Sequence, residues 1–457
     1  MASRTLTPGS PSSDAALKTS SAPLARDLSL GSGPSSLNFL SSPSRPAAAL
    51  PDHCGGPTRK IVDLVIELGR ALHRHGAPAH RLEGVLSAVA ERLGCPGQFF
   101  TTPTAIFASF GERSQARTTL VRMPAGGDVD LGRLGELYDW VALVDAGRLD
   151  LEEAQRRLDQ IVHAPPRFSL GATAAALALA STGAARFFGG GLHDLGAAAS
   201  IGLALALLTT AAKRGRLGAG LLPALAGLTA SLIAASWAAM LPPVSVYVAT
   251  VAGLIVMMPG LTLTTAMTEI STGHLVSGTT RLTGAAMLLF SLGFGVALGT
   301  HLAQVTFGIP AMAEPMALPE WTEWLALATA PLAFGVLFGA RFRDFGWIFV
   351  ASIIGFAGAR GGAAMLGPQL GAFLGATLVG IVSNLRARWW RAPATVPQVP
   401  GIMLLVPGSV GFRSFSSLLA QDVVSGVDAA FSMVLVAMAL VTGLLVANAL
   451  VPRARTL

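Results

Sequence analysis

Two stretches of one pattern, Gly253-Leu-Ile-Val-Met-Met-Pro259-Gly260 and Gly401-Ile-Met-Leu-Leu-Val-Pro407-Gly408, interrupt apolar sequence and are each followed by side chains able to hold a small polar solute. After the first come Thr262, Thr264, Thr265, Thr268 and Glu269. After the second come Ser409, Arg413, Ser414, Ser416, Ser417 and Asp422. A proline inside an apolar helix removes a backbone donor, and the glycine behind it loosens the turn, so both segments are expected to break there. Unpaired backbone groups survive at membrane depth only where protein buries them or a wet cavity receives them. The half-helix that restarts carries partial positive charge at its N-terminus, which suits a carboxylate. Pro259, Gly260, Pro407 and Gly408 therefore head the candidate site, with the polar residues behind them.

Arg413 is the sharpest single residue. It lies roughly 9 Å past Pro407 if the chain is helical, and it costs about 2.5 to 3.5 kcal/mol if it faces lipid unpaired. It needs a cavity or an acid: a substrate carboxylate, a gating salt bridge, a snorkelling position or a structural bond to Asp422 all meet that need. Glu269, some 15 Å past Pro259 along a helix, fits a proton or ammonium site and equally an interfacial position. His274 and His301 near span ends read more readily as hydrogen-bonded interfacial residues, and Asn384 and Asn448 as interhelical bonds. Glu83, Thr101, Thr102 and Thr104 are accompanied by no metal spacing, phosphate loop or nucleophile elbow, so no catalytic residue, cofactor or metal is expected.

The elements that must position these groups are membrane helices. The chain is 52% hydrophobic and 12% charged, with 52 glycines among 457 residues, far below the roughly 25% charge of a soluble domain. Residues 1–57, rich in Ser, Pro, Ala and Gly and without apolar periodicity, read as a disordered tail with no cleavable secretory signal. Residues 58–165 read as a small soluble α+β domain: helices from Arg59 and from about Pro78, β-type runs at Gln98–Ser109 and Arg117–Met123, then helices at Asp130–Ala146 and Asp150–His163. Pro103 limits the first run to an edge or bent strand. Two cysteines, Cys54 and Cys95, support neither a disulfide framework nor a metal site.

Ten candidate spans follow, at 168–188, 192–212, 218–240, 244–264 and 282–305, then 324–340, 345–359, 363–384, 399–420 and 428–450. Lys213, Arg214, Arg216, Arg281, Arg341, Arg343, Arg386, Arg388, Arg391, Arg453 and Arg455 then share one side, while the loop from Gly308 to Glu323 carries Glu314, Glu320 and Glu323. That asymmetry predicts both termini in the cytoplasm. The net charge of +7 is clustered between spans rather than along one face, which argues against nucleic-acid binding. The two Pro-Gly stretches stand 148 positions apart, and Val276-Ser277-Gly278 recurs at the same offset as Val424-Ser425-Gly426. A duplicated five-span unit, 168–306 and 324–451, enters the membrane from opposite sides because five is odd. Inverted repeats of this kind favour secondary transport by alternating access over membrane-embedded catalysis.

The chain resembles the threonine/serine exporter family from about residue 59 to the end. The resemblance is carried by Gly76-Ala-Pro-Ala-His-Arg-Leu-Glu83, Pro103-Thr-Ala-Ile-Phe-Ala-Ser109, the Met258-Pro-Gly260 and Val406-Pro-Gly408 breaks and the Val-Ser-Gly behind each. It implies a polytopic cell-membrane protein, not an enzyme, that exports threonine and serine from the cytoplasm using the proton motive force. Its partners would be the amino acid, protons and the lipid bilayer, with room for a homo-oligomer. An acid such as Glu269 or Asp422 would carry the proton. A membrane-embedded hydrolase is the rival from another class, since serines crowd the ninth span, but it needs a nucleophile and base within reach. A non-transporting sensor or scaffold is a third reading.

Overall fold

A computed structural model describes residues 56–111, 117–124, 129–308, 318–390, 392–405, 408, 412, 414, 417 and 422–452, all within one compact unit. The described chain is mostly helical. It opens with α1 (Gly56–Arg74) and α2 (Ala79–Arg92), followed by β1 (Gly97–Thr102), β2 (Ala105–Phe110) and β3 (Arg117–Arg122), then α3 (Leu131–Asp145) and α4 (Leu151–His163). Val62, Val65, Leu68 and Leu72 recur at helical spacing on α1 and are buried against Leu82, Leu86 and Val89 of α2. Asp130 and Asp150 cap α3 and α4, accepting bonds from the Arg133 and Glu153 amides at 2.8 Å each.

The run expected as one bent strand is two. Thr102 pairs with Ala105, so Pro103 and Thr104 form a two-residue turn, and β1, β2 and β3 make an antiparallel sheet in that order. Pro103 lacks the N–H that a continuing strand would donate, and a turn is where that lack costs least. Ile106, Ala108 and Phe110 of β2 and Val121 of β3 face the helices.

The remaining helices are α5 (Leu170–Phe187), α6 (Leu192–Lys213), α7 (Leu222–Met240), α8 (Val246–Gly253), α9 (Gly260–Ser271), α10 (Leu275–Phe307), α11 (Trp321–Leu337), α12 (Phe345–Leu366), α13 (Pro368–Trp390), α14 (Thr395–Met403) and α15 (Val423–Leu450). Six stretches among the described residues are long and apolar enough to cross a membrane: α6, α7, α10, α12 with the turn before it, α13 and α15. Met287, Phe290, Phe294, Leu298 and Leu302 are exposed at helical spacing along α10. A face that apolar and that open needs lipid as its solvent. Several boundaries differ from the pattern-based expectation, and two of them bring an arginine into a helix. Helix α10 starts at Leu275, so Arg281 sits inside it, and α12 runs on to Leu366, so Arg360 is helical and pairs with Glu323. In both places short polar interruptions looked like loops, but the side chains concerned find partners without breaking the backbone ladder.

The α+β segment is packed onto the helix ends. Its core continues into Ala340, Ile348 and Val396, and the Leu131 amide donates to the Phe338 carbonyl at 2.7 Å. Asp344, almost fully buried, accepts from Arg341 at 3.0 Å and from Arg386, while Asp139 of α3 accepts from Arg341 at 2.7 Å and Arg343 at 3.0 Å. Three of the positive charges counted for orientation, Arg341, Arg343 and Arg386, thus share two carboxylates.

Helices α7 and α10 approach through glycine. A Cβ on Gly295 would lie 2.0 Å from the Ala224 carbonyl oxygen, and one on Gly227 2.2 Å from that of Leu292. Small residues at the crossing let backbones touch, which is how apolar helices associate where no hydrophobic effect separates them from lipid. Gly295→Val is expected to destabilise the fold by about 3 kcal/mol or more, because backbone cannot move aside. Gly284→Ala, on the same helix with open space around it, is expected to be neutral or slightly stabilising. Thermal unfolding in detergent of the two variants side by side checks this.

Candidate functional site

Helix α8 ends at Gly253 and α9 begins at Gly260, so the chain is irregular through residues 254–259, as the Pro259-Gly260 pair predicts. The break is not left unsatisfied: the Gly253 carbonyl accepts from the buried Ser181 hydroxyl of α5 at 3.2 Å. Gly408 lies directly against it. A Cβ built there would be 3.2 Å from Met258 Cβ and 3.6 Å from the Gly260 backbone, so the two Pro-Gly stretches meet in space. Ser417 is half-buried and Asp422 caps α15, accepting from the Ser425 amide at 3.1 Å. Pro407, Ser409 and Arg413 lie outside the described residues.

Beyond the break, α9 shows a ladder of hydroxyls. Thr264 donates to the Gly260 carbonyl at 3.0 Å, Thr268 to Thr264 at 2.8 Å and Thr272 to Thr268 at 2.9 Å. Each hydroxyl proton is committed to its own helix, so each oxygen presents lone pairs as an acceptor. These three, with Thr265, form one wall of a cavity of about 250 Å³. The rest of the polar lining is His80 and Arg81 behind Pro78 at the start of α2, Thr395 and Gln398 of α14, and Asn448 of α15. No Asp or Glu is among the lining residues described. Burial pushes the His80 imidazole down to about 4, with Arg81 and His274 adding to the effect, so this ring is neutral at physiological pH.

Glu269 does not line the cavity. It is fully buried beside the threonine ladder of α9, where it accepts from the Ala79 amide at 2.9 Å, the Ser277 hydroxyl at 2.8 Å and the Arg281 guanidinium at 3.0 Å. One carboxylate therefore joins the first turn of α2 to α9 and α10. Glu83 makes a second tie, accepting from the Thr101 amide at 2.7 Å and its hydroxyl at 2.9 Å and lying 3.3 Å from His274 Nε2. The His274 and His80 rings are 6.0 Å apart. Asn384 donates to Asn448 Oδ1 at 2.9 Å, the interhelical bond expected for that pair, and His301 is exposed.

Of the residues singled out from sequence, the structure brings Thr264 and Thr265 to the cavity and Pro259, Gly260 and Gly408 beside one another. It adds His80, Arg81, Thr395 and Gln398, which sequence reasoning missed. The first two stand inside the Gly76–Glu83 motif, where a histidine and an arginine close behind a proline were the available signal. Thr395 carried none. Among the described residues no group of three or more His, Cys, Asp or Glu side chains converges as metal ligands would.

Glu269→Gln is expected to cost about 3 kcal/mol, since it leaves the Arg281 charge without its partner in a largely buried place. It should also raise hydrogen exchange at the Ala79 amide. Unfolding in detergent together with exchange mass spectrometry reads both; unchanged exchange at Ala79 would remove Glu269 as the tie between α2 and α9.

The family model described as "Putative threonine/serine exporter" matches residues 63–303, and a second, described as "Threonine/Serine exporter, ThrE", matches residues 323–450. The chain is similar to proteins named "Pheromone-regulated membrane protein 10". The one from Candida albicans (strain WO-1) is 25% identical over 379 residues, covering 78% of this chain and 33% of that protein. The one from Eremothecium gossypii is 25% identical over 367 residues, covering 78% and 49%. The one from Saccharomyces cerevisiae (strain YJM789) is 24% identical over 368 residues, covering 78% and 47%. The chain thus spans about a third to a half of the length of these curated relatives. No solved structure matches it. With family models matching it from residue 63 to residue 303 and from residue 323 to residue 450, this membrane protein belongs to the threonine/serine exporter family.

Proposed function

We propose that the protein is a secondary transporter that exports threonine, serine and related small polar amino acids from the cytoplasm, driven by the proton motive force. The observation that carries the reading is the cavity behind the Pro259-Gly260 break, of about 250 Å³, lined by Thr264, Thr265, Thr268 and Thr272 together with His80 and Arg81. Its size lies just below the usual range for ligand pockets, about 300 to 1,000 Å³, which fits a small solute. A zwitterion finds both its poles there. The α9 oxygens accept from an ammonium group, and Arg81 offers charge-assisted bonds to a carboxylate. Family membership supports the same substrate class.

In this reading the membrane part is ten spans in two inverted five-span repeats, with α8–α9 and α14 as the interrupted spans. The order of packing supports it: α7 packs on α10 in the first half as α13 packs on α15 in the second, and α5 packs on α11, its counterpart. Residues 58–165 and both termini lie in the cytoplasm of a cell-membrane protein, and the cavity beneath α2 is the cytoplasmic entrance. Rocking of the repeats about the touching Pro-Gly stretches opens the site alternately to each side. Glu269, with Arg281 and Ser277 around it, is the acid placed to take the coupling proton, and its bond to the Ala79 amide links protonation to the seating of α2.

Efflux of labelled threonine from proteoliposomes carrying the purified chain, with and without a proton uncoupler, tests the function. Uncoupler-sensitive efflux above empty vesicles is expected. No efflux of threonine, serine or related amino acids from correctly oriented protein would overturn the assignment, and efflux indifferent to the uncoupler would overturn the coupling. Arg81→Gln is expected to raise the half-saturating threonine concentration about tenfold, the size of a lost charge-assisted bond. Arg81→Lys should fall between, keeping the charge without the planar fork. Saturation curves for the three proteins check it.

A further inference from the structure

We propose that His80 and Thr395 read the side-chain hydroxyl of the transported amino acid, so that the N-terminal α+β segment contributes part of the specificity. The inference rests on the exporter reading above and names which atoms would make it selective.

Two residues that line the cavity each carry a buried polar side-chain atom without any hydrogen-bond partner: His80 Nδ1 and Thr395 Oγ1. Thr395 is only 8% exposed. It begins α14, yet its hydroxyl caps nothing there. Leaving such a group unpaired costs about 1 to 3 kcal/mol, so a pair of them in one small cavity points to a ligand that satisfies both. The two come from parts of the chain far apart in sequence, α2 and α14, and only the fold brings them to one space.

The chemistry of the pair selects the ligand group. Neutral imidazole has one donor and one acceptor nitrogen, and a threonine hydroxyl can do either. A substrate hydroxyl, which donates once and accepts, can satisfy the two together. A methyl group in the same place satisfies neither and displaces any water that did. The other two groups of a hydroxy amino acid already have their walls, the carboxylate at Arg81 and the ammonium at the α9 oxygens. The hydroxyl is what remains, and it is the group that separates threonine from valine and serine from alanine. A site built to bond a hydroxyl rejects the analogue without it far more strongly than an apolar pocket rejects an added one.

The test is efflux from proteoliposomes of the full chain preloaded with labelled threonine or its isostere valine, and with serine or alanine, read as the ratio within each pair. The unaltered protein is expected to favour the hydroxylated member. Thr395→Val should lower both ratios by about tenfold or more, and His80→Leu should shift them in the same direction. Thr395→Ser and His80→Asn, which keep a polar atom at the critical place, should hold most of the preference. Where Thr395→Val does not fold, the His80 pair decides. Ratios unchanged in Thr395→Val or, in its place, His80→Leu overturn the proposal whatever happens to total flux, as does an unaltered protein that moves valine as readily as threonine. Unaltered protein that moves none of the four amino acids overturns the exporter reading itself, and this inference falls with it.

Discussion

A carboxylate with no water around it must be fully bonded, and Glu269 shows how much structure that requirement can organise. Its two oxygens are shared among a backbone amide of α2, a hydroxyl of α10 and the Arg281 guanidinium, also of α10. Buried ionic groups add little net stability when complete and cost heavily when one partner is removed. Their value lies in fixing register. Here the register fixed is that of the first turn of α2 against α9, and the cavity residues carried by those two helices depend on it. His80 and Arg81 are the next two residues after the bonded Ala79 amide, and Thr265 and Thr268 lie four residues and one residue before Glu269. A slip of one turn would carry both walls out of alignment.

The same demand explains the break upstream. Pro259 ends one helix before Gly260 starts another, and the carbonyl of Gly253 is met by Ser181 rather than by water. An irregular stretch between apolar helices is tolerated where protein surrounds it. Gly408 closing over Gly260 belongs to that enclosure: its own lack of a side chain allows the approach to Met258. Threonines then suit α9 for a reason beyond hydrogen bonding to a solute. Each returns its proton to the preceding turn, so a polar stripe is built on a helix whose backbone stays satisfied.

What the sequence could disclose follows from distance along the chain. The α8–α9 break, the helical face of α1 and the caps Asp130 and Asp150 are local consequences of residue type, and each was legible within a window of a few residues. The turn at Pro103-Thr104 was half legible: proline announced an interruption, but whether the strand bent or reversed depended on β2 finding β1 as its neighbour. Glu269 was legible as an acid in need of partners, but one partner was not: the Ala79 amide is 190 residues away and is a backbone group, which no residue type advertises. Thr395 was not legible at all. A threonine at a helix start reads as a cap, and only the assembled fold shows its hydroxyl buried and unclaimed.

The arrangement of walls also limits how the site can open. Helix α2 is tied to α9 through Glu269, and Glu83 of α2 reaches His274 at the start of α10. Motion that keeps those bonds carries α2, α9 and the start of α10 together. The Thr395 and Asn448 side of the cavity belongs to α14 and α15, which pack chiefly on α12 and α13 and less extensively on α9. An opening of the cavity then separates His80, Arg81 and the threonine ladder from Thr395 and Asn448. A solute bridging the two walls would hold them closed, and its departure would release them. In the proposed exporter, binding at such a seam would couple occupancy to conformation directly, since the contacts that would recognise the solute are also contacts between the parts that would move.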